Sequence, residues 1–179
     1  ANLRRKQRQL SRKQKGSRNR AKARLLVAKC HEKTANARAD FQHQLSRTLI
    51  DENQAVIVET LKSANMMKNR HLAKAIGDAG WHGFVVKLGY KAKAEGKHLV
   101  KIDQWVASSK TCHHCKHKLD NLPLNIRSWC CPKCQTIHDR DTNAAINIEN
   151  EGILKLKAAG LVVSACGGVR KSSEFGVAA

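Results

Sequence analysis

The sequence predicts an α/β protein carrying an inserted metal module. Three observations lead there: two short apolar, β-branched runs near 55–58 and 98–102, helical periodicities around them, and five cysteines crowded into 23 positions. The 179 residues suit one or two small domains, and at 41% hydrophobic the chain can bury a core, which excludes wholesale disorder. Lys and Arg number 34 against 14 Asp and Glu, a formal charge of +20 that implies a polyanionic partner, nucleic acid first. No apolar run reaches the roughly 18 residues of a membrane span. Residues 1–24 lack the apolar stretch of a signal peptide.

Residues 1–24 hold 11 Lys/Arg and no acid, with Leu3 and Leu10 as their only large apolar side chains. Gly16-Ser17 interrupts this run, which leaves two short helical pieces or a basic arm open. From about Ala21 to Ile50, Leu26, Cys30, Ala37, Phe41, Leu45 and Leu49 recur largely at steps of four. They predict one long helix with an apolar face, stopping near Asp51-Glu52-Asn53. Ala55-Val56-Ile57-Val58 reads as a buried strand ending in Glu59, and His98–Ile102 as a second ending in Asp103. Between them lie a polar loop from Lys62 to Arg70 and helical patterns at about 71–78 and 81–95, broken by Gly80. After a cysteine module at about 108–138, a helix over 141–159 can place Ala144, Ala145, Ile148, Ile153 and Leu156 on one face. From Gly160 the chain reads as a loose tail.

The cysteines form a metal site on spacing alone. Cys112-x-x-Cys115 is followed after 15 residues by Cys131-x-x-Cys134, and two such knuckles deliver four thiolates tetrahedrally, which suits Zn²⁺. Four thiolates leave no open position for a water, so the predicted zinc is structural. Cys130 competes with Cys131, but its spacing to Cys134 is less usual. His113, His114, His117 and His138 are alternative ligands, each expected instead to be solvated or phosphate-facing. The lone Cys30 and Cys166 read as buried small side chains or inert thiols.

Carboxylates stand at element ends. Glu59 closes a strand, and Asp139 and Asp141 open the helix after the cysteine module. Acids so placed can converge at a sheet edge and hold Mg²⁺ or Mn²⁺ for phosphodiester cleavage. The alternatives are an N-cap for Asp139, a favourable first-turn charge for Asp141 and a solvated strand end for Glu59. Asp103 is read as an exposed strand terminus. Trp81, Trp105 and Trp129 are expected in the core or against the zinc module.

Longer motifs add a resemblance. Val56-Ile-Val-Glu59-Thr-Leu-Lys, then Met67-Lys-Asn-Arg-His-Leu-Ala-Lys-Ala-Ile-Gly-Asp-Ala-Gly-Trp81, is similar to the OrfB/TnpB family of transposon-encoded proteins. So are Ser108-Ser-Lys-Thr-Cys112-His-His-Cys115, Trp129-Cys-Cys131-Pro-Lys-Cys134 and His138-Asp-Arg-Asp141-Thr-Asn143-Ala-Ala-Ile-Asn147. These run in the family's order over roughly residues 1–150.

The resemblance implies a RuvC-like, RNase-H-type nuclease with a zinc ribbon inserted before its last acidic motif, related to type V CRISPR effectors and guided by RNA to DNA. It matches Glu59 to the second catalytic acid and Asp141 to the third; Asp141 is preferred over Asp139 because it lies two before Asn143. It implies a basic helical segment at 1–53, a partial RuvC-like α/β core at 54–107, the zinc ribbon at 108–138, the last RuvC-like helix at 139–159 and a flexible tail at 160–179. DNA and guide RNA are the implied partners, with a transposase partner or the remainder of the protein as further ones. Structural Zn²⁺ and Mg²⁺ or Mn²⁺ are the implied metals, and the prokaryotic cytoplasm the implied setting. Phosphate contacts are expected from Arg4, Arg5, Arg8, Arg12, Lys13, Lys15, Arg18, Arg20, Lys68 and Arg70.

The sequence departs from the family pattern at its front, where the motif carrying the first catalytic Asp is missing. The expectation is therefore a C-terminal part, a truncated reading frame or a fragment, that binds nucleic acid without cutting it alone. Two other classes compete: a nuclease-dead regulator of the same family, and a small basic zinc-ribbon protein that binds ribosomal RNA.

Overall fold

The basic N-terminus folds as helix, and the helix breaks at Gly16-Ser17. In the computed structural model, which describes residues 2–161, α1 spans Asn2–Ser11 and α2 spans Arg18–Glu52. Gly16 takes φ +83°, and the Ser17 hydroxyl accepts the Arg20 N–H at 3.1 Å as an N-cap. The Arg20 guanidinium turns back to donate to the carbonyls of Leu10 (3.1 Å) and Lys13 (3.0 Å), closing the loop between the helices. There follow β1 (Ala55–Glu59), α3 (Ser63–Met66), α4 (Ala73–Ala79), α5 (Trp81–Ala94), β2 (His98–Ile102), a 3₁₀ turn (Ser108–Lys110), β3 (Ser128–Cys130), β4 (Ile137–Asp139) and α6 (Arg140–Ala158). The polar loop expected from Lys62 to Arg70 thus contains one helical turn, α3. Residues 162–179, including Cys166 and most of the expected tail, lie outside the described residues.

Two compact units divide the chain: Ala1–Val56 with Leu61–Leu99, and Ile57–Thr60 with Val100–Ala179. In the first, α2 packs along α5. The face it buries is not the predicted one. Gln42, Ser46 and Ile50 are buried, while Leu26, Phe41 and Leu45 are exposed, as is Ala37. The two rows are one residue apart, about 100° around the helix. A polar row can be buried because its groups are satisfied. The Gln42 amide donates to the carbonyls of Ala79 and Gly80 (3.1 Å each) and accepts from Lys87 Nζ (3.2 Å). Ser46 donates to the His43 carbonyl (3.1 Å) and accepts from Lys91 Nζ (2.8 Å). Desolvation of that lysine lowers its pKa.

Gly80 is required twice over. It ends α4 at φ +62°, and a Cβ there would come within 3.0 Å of Gln42 Nε2. Farther along α2, Ile50 is fully buried, as are Leu88 and Ala92 of α5. Lys97 Nζ donates to the carbonyls of Ile50 and Asp51, capping the C-terminal end of α2.

β1 and β2 form a two-stranded sheet. The His98 N–H donates to the Gln54 carbonyl (3.0 Å) at one end, and the Thr60 hydroxyl to the Ile102 carbonyl (2.7 Å) at the other. Starts lie beside starts and ends beside ends, so the strands run parallel, with the α3–α5 segment as their crossover.

In the second unit α6 approaches β1 closely: a Cβ on Gly152 would lie 2.5 Å from Ile57 side-chain atoms. The cysteine module is built on an antiparallel β3–β4 hairpin pairing Ser128 with Asp139, Trp129 with His138 and Cys130 with Ile137. Its interior holds Cys112, Trp129 and Cys131, with Leu119 and Leu122 packed against them.

Candidate metal centres and nucleic-acid surface

The two knuckles share one backbone pattern. Cys112 N–H donates to the His117 carbonyl (2.8 Å) and Lys116 N–H to the Cys112 carbonyl (3.0 Å). Cys131 and Thr136, then Gln135 and Cys131, repeat these bonds at 2.9 and 2.8 Å. The residue after each second cysteine, Lys116 or Gln135, adopts φ near +60°, which turns the chain back so that both sulfurs of a knuckle face inward.

The four Sγ atoms of Cys112, Cys115, Cys131 and Cys134 lie within 4.8 Å of one another, with Cys112–Cys134 and Cys115–Cys131 each at 3.6 Å. Tetrahedral Zn–S bonds of about 2.3 Å put sulfurs about 3.8 Å apart, so the cage fits zinc, whereas a disulfide needs about 2.05 Å. Cys130 points elsewhere: it is exposed and its thiol donates to the Gln135 carbonyl (3.4 Å). A His117 backbone N–H favours the Cys115 thiolate, but burial and the bonds shared with Cys134, Cys131 and Cys112 outweigh it and hold that thiol at about 12. The Thr136 hydroxyl and backbone pull Cys134 down to about 5. The Cys134 thiolate forms readily, whereas the Cys115 thiol awaits a cation's charge.

His138 corrects the expectation of a solvated or phosphate-facing side chain. It is buried, with Nε2 3.1 Å from Cys112 Sγ and its ring against Trp129, 4.6 Å between centroids. Burial first, then His113, lowers its pKa, and the neutral ring assigned as the Nε2–H tautomer donates to the sulfur. Its Nδ1 and Trp129 Nε1 are buried without a hydrogen-bond partner among the described residues. Trp129 packs in the module as expected, and Trp81 is half-buried, but Trp105 is 81% exposed. The turn explains it: Asp103 Oδ1 accepts the Trp105 N–H (2.8 Å) just beyond β2, so the ring leaves the sheet there and Asp103 serves as a turn acceptor.

The acids occupy distinct settings. Glu59 is half-buried at the end of β1, and its Oε1 accepts the Ser108 hydroxyl at 2.9 Å. Asp139 is the N-cap of α6, accepting the N–H groups of Asp141 (3.1 Å) and Thr142 (2.9 Å). The Thr142 bond, foremost, depresses its pKa. Asp141 sits in the first turn, its side chain 79% exposed and 3.4 Å from Arg127 Nη1. No hydrogen bond or ion pair among the described residues joins Glu59 to Asp141. What connects their elements is a pair of buried amides that sequence reading missed as functional. Asn143 Nδ2 donates to the carbonyls of Ser108 (3.3 Å) and Thr111 (2.8 Å), and Asn147 Nδ2 to the same two (2.9 and 2.6 Å). Asn143 Oδ1 accepts the His113 N–H (2.9 Å).

Arg4, Arg5, Arg8, Arg12, Lys13, Lys15 and Arg18 are exposed, as are Lys68 and Arg70 beyond β1; Arg20, in the first turn of α2, is half-buried with its guanidinium turned back to the Leu10 and Lys13 carbonyls. None of these has an acidic partner among the described ion pairs. Among the described residues no helix is long and apolar enough to cross a membrane.

The fold and cysteine cage define a class: a mixed α/β chain with a four-cysteine cluster. Residues 1–70 match the family described as "Probable transposase" (OrfB_IS605), and residues 81–148 match the "Cas12f1-like, TNB domain". A protein of Streptomyces pristinaespiralis named "Putative RNA-guided DNA endonuclease" is 47% identical over 97% of this chain and 41% of its own length. A similarly named protein of Mycobacterium tuberculosis is 34% identical over 82% of this chain and 33% of its own. The protein chain of a Cas12f1–sgRNA–target DNA complex solved by cryo-EM shares the fold, with TM-score 0.56 and 23% identity over 73% of this chain and 39% of that one. The chain belongs to the OrfB/TnpB family and spans about 41% of the length of its Streptomyces relative.

Proposed function

We propose that this chain is the C-terminal part of a transposon-associated, RNA-guided DNA endonuclease, binding nucleic acid and contributing two of the three acids of a RuvC-like metal site. One observation carries this reading. Glu59, at the end of β1, is bonded to the turn that leads into the ribbon, and Asp141 opens the helix that leaves it. The family relatives support it, and so does the exposed, acid-free basic helix α1.

The donor sets fit two kinds of metal. Soft thiolates suit Zn²⁺, which would hold the ribbon; the oxygens of Glu59 and Asp141 suit Mg²⁺ or Mn²⁺. Divalent ions, when bound at such acids, activate a water and stabilise the leaving oxygen. Here Asp141 is free to reorient because its pairing with Arg127 is exposed and weak. Two carboxylates bind such ions weakly, so the 179-residue chain binds DNA or RNA without cleaving it. The basic face of α1 and the start of α2 supply phosphate contacts, as a guide–target heteroduplex requires.

Fluorescence anisotropy with labelled single-stranded DNA and an RNA–DNA heteroduplex tests the binding. The logarithm of the affinity should fall steeply and linearly with log salt; a flat response would remove the basic helices as the main contact.

A further inference from the structure

Ser108 is buried, and the structure gives it two jobs at once. Its hydroxyl donates to Glu59 Oε1 at 2.9 Å, across 49 positions of sequence. Its carbonyl accepts from both Asn143 and Asn147, which stand four residues apart on one face of α6 and also share the Thr111 carbonyl. The 3₁₀ turn is therefore pinned to α6 at both ends by buried amides, Asn143 at 1% exposure and Asn147 at 7%. A buried network this fully satisfied resists sliding, because any shift leaves an amide or carbonyl unpaired. The Ser108 hydroxyl is thus a fixed point, and the Glu59 side chain, with three rotatable bonds, is held to it.

We propose that Ser108 is a positioning residue: it orients the Glu59 carboxylate, while Asn143 and Asn147 hold Ser108 in register with the helix that carries Asp141. This rests on the proposed acidic metal site and adds its positioning machinery. The bond engages one carboxylate oxygen and sets where the second points, so a cation binding Glu59 meets a prearranged ligand rather than a mobile one. A bystander hydroxyl satisfied by chance would leave cation binding unchanged on removal.

The test uses the full zinc-loaded chain with ¹³C-labelled glutamate, the Glu59 side-chain signal being assigned by its loss in Glu59→Gln. Mn²⁺ is titrated and its paramagnetic broadening of that signal is followed. Ser108→Ala should raise the Mn²⁺ needed for half-broadening about tenfold, the effect of losing one hydrogen bond to a charged group. Ser108→Thr should stay within about twofold of wild type. Zinc content and far-UV circular dichroism report whether each variant folds. Should Ser108→Ala not fold, Ser108→Val beside Ser108→Thr isolates the hydroxyl at equal shape. Equal Mn²⁺ response in the Ala and wild-type chains, or in the Val and Thr chains, overturns the role of Ser108 while leaving the acidic site standing. A wild-type Glu59 signal untouched by Mn²⁺ overturns the acidic site, and the positioning role with it.

Discussion

Asp139 and Asp141 stand two residues apart and do different work. Asp139 spends its carboxylate on the first N–H groups of α6, whereas Asp141 projects into solvent beside Arg127. Asp139→Ala should lower stability measurably and Asp139→Asn much less, measured by urea unfolding. Hydrogen bonding holds the Asp139 pKa below its ordinary 3.8. Its contribution is therefore complete above pH about 4 and lost as pH falls through the depressed folded value; the Ala variant should lack that acid-side loss. Trp129 and Trp105 make a second contrast. Trp129→Ala should destabilise by about 3–5 kcal/mol, and Trp105→Ala by about 0.5 kcal/mol or less. The four cysteines were legible because their pattern is local, two knuckles of fixed spacing. Ser108 was not, since its partners Glu59 and Asn143 lie 49 and 35 positions away. His138 was misread because nothing in the run of histidines marks the one that a hairpin folds inward.

Helix α2 shows the same limit at the scale of an element. Its existence and its end followed from periodicity and from the polar triplet at 51–53, and both β1 and β2 followed from their β-branched runs. Its buried face did not follow, because Gln42 and Ser46 read as polar until the carbonyls of α4 and the lysines of α5 are placed against them. Chemical denaturation of two variants separates the faces. Ile50→Ala should cost about 2–5 kcal/mol, whereas Phe41→Ala, at a residue 63% exposed, should cost about 0.5 kcal/mol or less. The α6–β1 approach makes a further prediction. In an open helix Gly152→Ala would gain up to about 1 kcal/mol from propensity. Here the 2.5 Å clash with Ile57 should outweigh it, giving a net loss of about 1–2 kcal/mol that Ile57→Ala reduces in a double-mutant cycle.

For the whole molecule, the proposed polyanion binding rests on the charge of +20 and on its concentration in residues 1–24. The exposed bases of α1 have no acid within their own 24-residue stretch, so they remain available to phosphates. Replacing Arg4, Arg5 and Arg8 by Ala should flatten the log–log salt slope by up to about 2 for single-stranded DNA, about 0.7 for each phosphate no longer neutralised. Zinc removal acts on another part. Chelation should abolish the near-ultraviolet signal of Trp129 while leaving the helicity of α1, α2 and α5 largely in place, since the cage and that tryptophan share one small interior. Family membership was legible in long ordered motifs; the pinning of Glu59 to the ribbon's first turn required coordinates.

The most direct measurement is cleavage of plasmid and single-stranded DNA by the purified 179-residue chain in Mg²⁺, wild type beside Glu59→Gln. Both proteins should bind and neither should break a strand. Robust cleavage by the wild type, lost in Glu59→Gln, would show instead that the two acids suffice for catalysis.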